Sequence, residues 1–202
     1  MTGRAHRTLE WLLVDTHLWV AAAAASLTLF AAVALGATGE LPSIGVVFSA
    51  TLLIYAVDDA FDGRMCAQPA RWLLVALGAG SLSVQLLLAP AAVILAVTIG
   101  ALPALFYGAP IRGRRLRQLP GVKPFFVAAS VAGAAVAVPA LWSWSATQQQ
   151  PALPRVLATT AVLFLLVLSN VCLFDLRDRV ADARAGLRTI PVRLGVAGTR
   201  RF

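Results

Sequence analysis

Charge is what this sequence has least of. Only 13 % of its 202 residues are Asp, Glu, Lys or Arg, about half the share of a soluble domain. Acidic side chains number nine. Such scarcity excludes an ordinary water-facing surface. Cysteine is limited to Cys66 and Cys172, far apart in the chain. That excludes a disulfide framework and a cysteine-built metal site. Short-period alternation is also missing. The apolar residues make up 59 % of the chain and come in blocks, not at spacings of about two or 3.6.

Blocks of about 20 apolar residues are membrane spans, because a helix rising about 1.5 Å per residue needs that many to cross roughly 30 Å of hydrocarbon. The fold class expected is an all-α polytopic membrane protein. Six spans are expected, at about 18–36, 41–60, 71–89, 90–108, 122–142 and 154–175, with turn and breaker residues between them. Only Pro90 separates the third from the fourth. Residues 1–17, with Arg4, Arg7, Glu10 and Asp15 beside Trp11 and Leu12, read as a cytoplasmic or interfacial segment. A cleaved signal peptide is the rival reading, but the following apolar run is longer than the roughly 7–15 residues such peptides use. Residues 18–202 then form a single transmembrane helical domain.

The net charge of +8 would suggest nucleic acid in a soluble protein. Here it is explained by membrane orientation, and no nucleic-acid partner is expected. With the N-terminus inside, the segments 1–17, 61–71, 109–123 and 176–202 hold sixteen of the seventeen Lys and Arg residues, leaving Arg155 outside. Cytoplasmic loops carry that excess. The expected location is the cell membrane.

Six of the nine acids fall in two places, Asp58, Asp59 and Asp62, and Asp175, Asp178 and Asp182. Each group closes an apolar run, and the topology puts both on the cytoplasmic face. Asp58 and Asp62 are four apart, on one helix face, with Asp59 about 100° round from Asp58. Asp175, Asp178 and Asp182, at i, i+3 and i+7, share a face as well. Like charges grouped this way call for a cation. Carboxylate oxygens suit magnesium, which binds few protein carboxylates together with substrate phosphates. The bland alternative is a set of interfacial acids balancing Arg64, Arg177, Arg179 and Arg184. On the same face, residues 111–123 supply Arg112, Arg114, Arg115, Arg117 and Lys123. Most of these are positive-inside charge, while one or two reach a diphosphate as charge-assisted donors. Tyr107 closes the fourth span, placed either to donate to a phosphate oxygen or to anchor at the interface.

These residues resemble the UbiA superfamily of intramembrane prenyltransferases, with motifs of the form N-x-x-x-D-x-x-x-D after the second helix and D-x-x-D-x-x-x-D after the sixth. The second is matched by Asp175, Asp178 and Asp182, then Ala185, Gly186, Thr189, Ile190, Pro191, Leu194 and Gly195. Tyr107 with Pro110, and residues 119–123, are similar to the family's connection between helices 4 and 5. The resemblance spans about residues 45–196. It implies a helical bundle, normally of nine transmembrane helices around a cavity, and magnesium-dependent transfer of an isoprenyl group from a prenyl diphosphate to a lipophilic acceptor, often an aromatic ring.

By the resemblance, Asp58, Asp62, Asp175, Asp178 and Asp182 are metal ligands, with Asp62 and Asp178 central to catalysis. Tyr107, Arg112 and Lys123 bind the diphosphate. Besides these substrates and membrane lipid, no protein partner is indicated. Three departures stand out. Asp58 replaces the usual asparagine, Cys66 replaces the last aspartate of the first motif, and the chain ends at Phe202, where a seventh helix is expected to begin. A thiol is a poor magnesium ligand. The short chain therefore leaves a second reading, a six-helix remnant with a structural or interaction role and no catalysis.

Overall fold

The computed structural model describes residues 17–38, 40–61, 69–108, 119, 122–184 and 189–199. Among them there are seven helices and no strand. The helices are α1 (Leu18–Leu35), α2 (Glu40–Phe61), α3 (Pro69–Leu88), α4 (Ala91–Gly108), α5 (Val122–Thr147), α6 (Leu153–Arg184) and α7 (Ile190–Thr199). The expected interfacial helix before residue 17 lies outside the described residues.

Local chemistry sets the helix ends. Pro42, Pro69, Pro124, Pro154 and Pro191 all fall within first turns, where a missing N–H costs nothing. Pro90 starts α4: its carbonyl accepts from Val93 N at 2.9 Å and Ile94 N at 3.1 Å. α1 stops at Gly36, whose φ of 63° is left-handed. Gly36 N–H bonds to Val33 O and Ala37 N–H to Ala32 O, the paired closure that satisfies a helix's last carbonyls.

Five helices are long and apolar enough to cross a membrane: α1, α2, α3 from Arg71, α5, and α6 as far as Arg177. Ala91–Ala104 of α4 is a shorter apolar stretch. The expected six spans therefore appear as five full ones and this shorter one. α6 also departs from expectation. It does not end with its apolar run near residue 175 but continues to Arg184, 32 residues in all, about 48 Å at 1.5 Å per residue. Nothing from Arg177 to Arg184 breaks a helix, since neither Gly nor Pro occurs there.

The core lies where α1 and α5 meet α2 and α6. Ala31, Ala32 and Leu35 pack against Ala132, Ala135, Val136 and Leu163. A second cluster joins Ala24, Val46, Val47, Val93 and Val138. Small residues predominate because helices in lipid gain from close backbone approach, not from hydrophobic expulsion. α2 and α3 add a polar clasp: Gln85 Nε2 donates to Ser81 Oγ at 2.7 Å, and Ser49 Oγ donates to Ser81 Oγ at 3.2 Å. Gly45 leaves room for this amide: a Cβ there would lie 2.7 Å from Gln85 Oε1, and the flexible Gln85 side chain would have to shift. Outside this core, large apolar side chains such as Leu73, Leu87, Leu95, Leu157 and Leu173 are exposed, a surface suited to lipid and not to water.

Candidate functional site

The residues of interest gather at one end of the bundle. Thr38, just past α1, donates its N–H to Ser143 Oγ near the end of α5, at 3.1 Å. α1 and α5 therefore run parallel, and their N-termini share the opposite end. Three contacts tie the other helices to that end. Asp59, on the last turn of α2, meets His17 before α1 and Arg71 on α3. Tyr107, at the end of α4, stacks on Phe126 of α5 at 4.7 Å between ring centroids. Lys123, on the first turn of α5, donates from Nζ to Asp175 Oδ1 of α6.

The second acidic cluster is anchored by this last contact. Asp175 is 2 % exposed. A carboxylate buried so deeply is costly unless a cation is paired with it, and the ammonium of Lys123, the chain's one lysine, supplies it. The two residues are 52 apart in sequence. One turn above, Cys172 packs with Ala128, Val167, Leu168 and Ile190. That cluster seats the start of α7 beside α5 and α6. Within α7, Gly195 adopts φ 68°, ψ −179°, a backbone region essentially confined to glycine. The glycine closing the Leu194-Gly195 pair is thus needed to turn the chain.

Asp58 lies half-buried on the last turn of α2, beside Asp59. Asp62, Cys66 and Arg112 fall outside the described residues. Asp178 and Asp182 lie on α6, but their side chains are not described. α2 and α6 are each packed on both α1 and α5, so the helices bearing the two motifs are joined through that central pair. Among the described residues no three His, Cys, Asp or Glu side chains gather as a metal cluster. The donors present at this end, Asp58 and Asp175, are hard oxygen ligands, the kind that fits magnesium. Phe126 is in the site region through Tyr107, while Phe125 contacts Phe164 at 6.4 Å. Among the described residues, a groove of about 380 Å³ is lined by Arg179, Val180, Ala183, Arg184 and Val192, on the same stretch of α6 as Asp178 and Asp182.

Sequence reading passed over the contacts of Asp59. A signal for its burial was present: it lies seven residues after Leu52, on the buried stripe of Val46, Ser49 and Leu52. Its partners His17 and Arg71 could not be read, because each comes from a different helix end.

Fold and site together define a helical integral membrane protein with paired carboxylates buried at one end of its bundle. The model of the UbiA prenyltransferase family matches residues 60–202, and the chain belongs to that family. Membership carries prenyl transfer within membranes as the general activity. Among solved structures, the apo structure of a UbiA homolog from Aeropyrum pernix K1 superposes with a TM-score of 0.64 at 16 % identity, over 87 % of this chain and 70 % of that one. At this identity the likeness concerns the fold. No curated protein sequence matches the chain.

Proposed function

We propose that this protein transfers an isoprenyl group from a prenyl diphosphate to a lipophilic acceptor inside the membrane, in a magnesium-dependent reaction at the end of the bundle that carries both acidic motifs. The observation that carries this reading is Asp175, a fully buried carboxylate held against Lys123 at the same end as Asp58. Bulk stability does not require such a pair, whereas anion and cation recognition does.

In this mechanism Asp58, on the last turn of α2, acts with Asp62, four residues later in sequence, on one side of the diphosphate, and Asp175, Asp178 and Asp182 of α6 act on the other. Magnesium held by these carboxylates would supply positive charge to the departing diphosphate. Lys123 and Arg112 donate charge-assisted hydrogen bonds to phosphate oxygens, and Tyr107 donates its hydroxyl. These donors matter most as charge builds on the leaving group. The Ala-, Val- and Leu-rich helices exclude water from the allylic carbon as its bond to oxygen breaks. The charge distribution supports an orientation with the N-terminus and both motifs in the cytoplasm, and the cell membrane as the location.

The test is Asp178→Ala in protein reconstituted in liposomes of membrane lipid extract. Magnesium-dependent release of pyrophosphate from a panel of prenyl diphosphates should fall to background. Turnover at the wild-type rate would remove Asp178 from the site.

A further inference from the structure

Asp59 has no role in the chemistry above, yet its carboxylate is among the most firmly held groups at this end of the molecule. It is 3 % exposed. Its Oδ2 accepts from His17 Nε2 at 3.0 Å and from Arg71 Nη1 at 2.9 Å. His17 comes from the entry to α1 and Arg71 from the first turn of α3, so one carboxylate oxygen ties three helix ends together. His17 meets this contact from a left-handed backbone, φ 60° and ψ 12°, a conformation that non-glycine residues adopt at some cost. Its ring also lies against Tyr55 one turn below, with centroids 4.9 Å apart and planes inclined by 30°.

Stability is a poor reason for this arrangement. A buried carboxylate paired with a cation such as Arg71 roughly breaks even against an apolar core of the same volume, and the left-handed turn at His17 adds to the cost. What the clasp does provide is a fixed rotation of the last turn of α2. A helix anchored at Asp59 on its buried side has its neighbouring residue directed about 100° away. That neighbour is Asp58.

We propose that Asp59 is a positioning residue: through His17 and Arg71 it locks the ends of α1, α2 and α3, and so sets the direction from which the first acidic motif meets the metal–diphosphate. This inference rests on the function proposed above and deepens it, separating an orienting aspartate from the coordinating ones within a single motif. Groups that orient metal ligands, without touching the metal, typically change metal affinity by about 10- to 100-fold when removed.

The experiment measures Mn²⁺ binding by electron paramagnetic resonance in the purified full-length chain with inorganic pyrophosphate present, alongside the thermal denaturation midpoint. The variants are Asp59→Ala, Arg71→Met and Arg71→Lys. Asp59→Ala and Arg71→Met should each weaken Mn²⁺ binding about tenfold, and Arg71→Lys, which keeps a cation near Asp59, should recover most of the loss. A purely structural clasp would lower the midpoint while the folded protein kept wild-type affinity, and that result overturns the inference. If Asp59→Ala does not fold, the two Arg71 variants decide the question by the same criterion. Wild-type affinity in Arg71→Met, with wild-type protein itself binding Mn²⁺ and pyrophosphate, overturns the positioning role alone. Absence of binding in the wild type overturns the diphosphate reading and this inference together.

Discussion

Asp175 and Lys123 meet where a charge is expensive to keep, and that makes the pair testable apart from any reaction. Removing the ammonium takes from the buried carboxylate the counter-cation at its Oδ1, and breaking a buried pair costs up to about 3 kcal/mol. Lys123→Met should therefore destabilise the protein by that amount in thermal or chemical denaturation. The double variant Lys123→Met/Asp175→Leu should regain most of the loss, since apolar residues of similar size replace a buried pair at little cost. Neither variant should bind magnesium with pyrophosphate. A single variant as stable as the wild type would refute the pair's importance. Asp175 itself could be picked out from the i, i+3, i+7 spacing that it begins. Its partner could not, because 52 residues separate them and Lys123 is one cation in a run that also holds Arg112, Arg114, Arg115 and Arg117.

Among the elements, helix starts and stops were largely legible because single residues impose them. Gly36 ends α1 and Pro90 begins α4, both at points where the sequence breaks its apolar runs. The length of α6 was not legible from hydropathy. Its last turns are polar, and a change from apolar to charged residues marks the edge of the membrane without marking the end of a helix. α7 gives a prediction at this scale. At Gly195 an added Cβ meets nothing within 4 Å, so the cost of Gly195→Ala lies wholly in its φ of 68°. That cost is about 1–3 kcal/mol. Gly100, inside α4, has equally open space and no positive φ, so Gly100→Ala should be neutral or stabilising by up to about 1 kcal/mol. Denaturation midpoints of the two variants should move in opposite directions or differ clearly; equal shifts would contradict the strained geometry at Gly195.

For the whole molecule, the outer surface of exposed leucines, valines and tryptophans suits a bilayer, and the distribution of Lys and Arg along the sequence underlies the proposed orientation. Single cysteines in a Cys66→Ser/Cys172→Ser background test that orientation. In intact cells, a membrane-impermeant thiol reagent should label Gln148→Cys at once and Leu119→Cys only after permeabilisation. Reversed labelling would invert the topology. The length of α6 has a consequence here as well. Because one uninterrupted helix carries both the lipid-embedded residues and Asp175, Asp178 and Asp182, the acidic turns cannot adjust their height independently of the span below. A bilayer thinner or thicker than the apolar stretch is met by tilting. At the far end of a rod about 48 Å long, a tilt of about 10° displaces the tip by several ångströms. The thickness of the surrounding lipid thus acts on the reach of these carboxylates, and vesicles of graded acyl-chain length offer a physical control over the site that changes no residue.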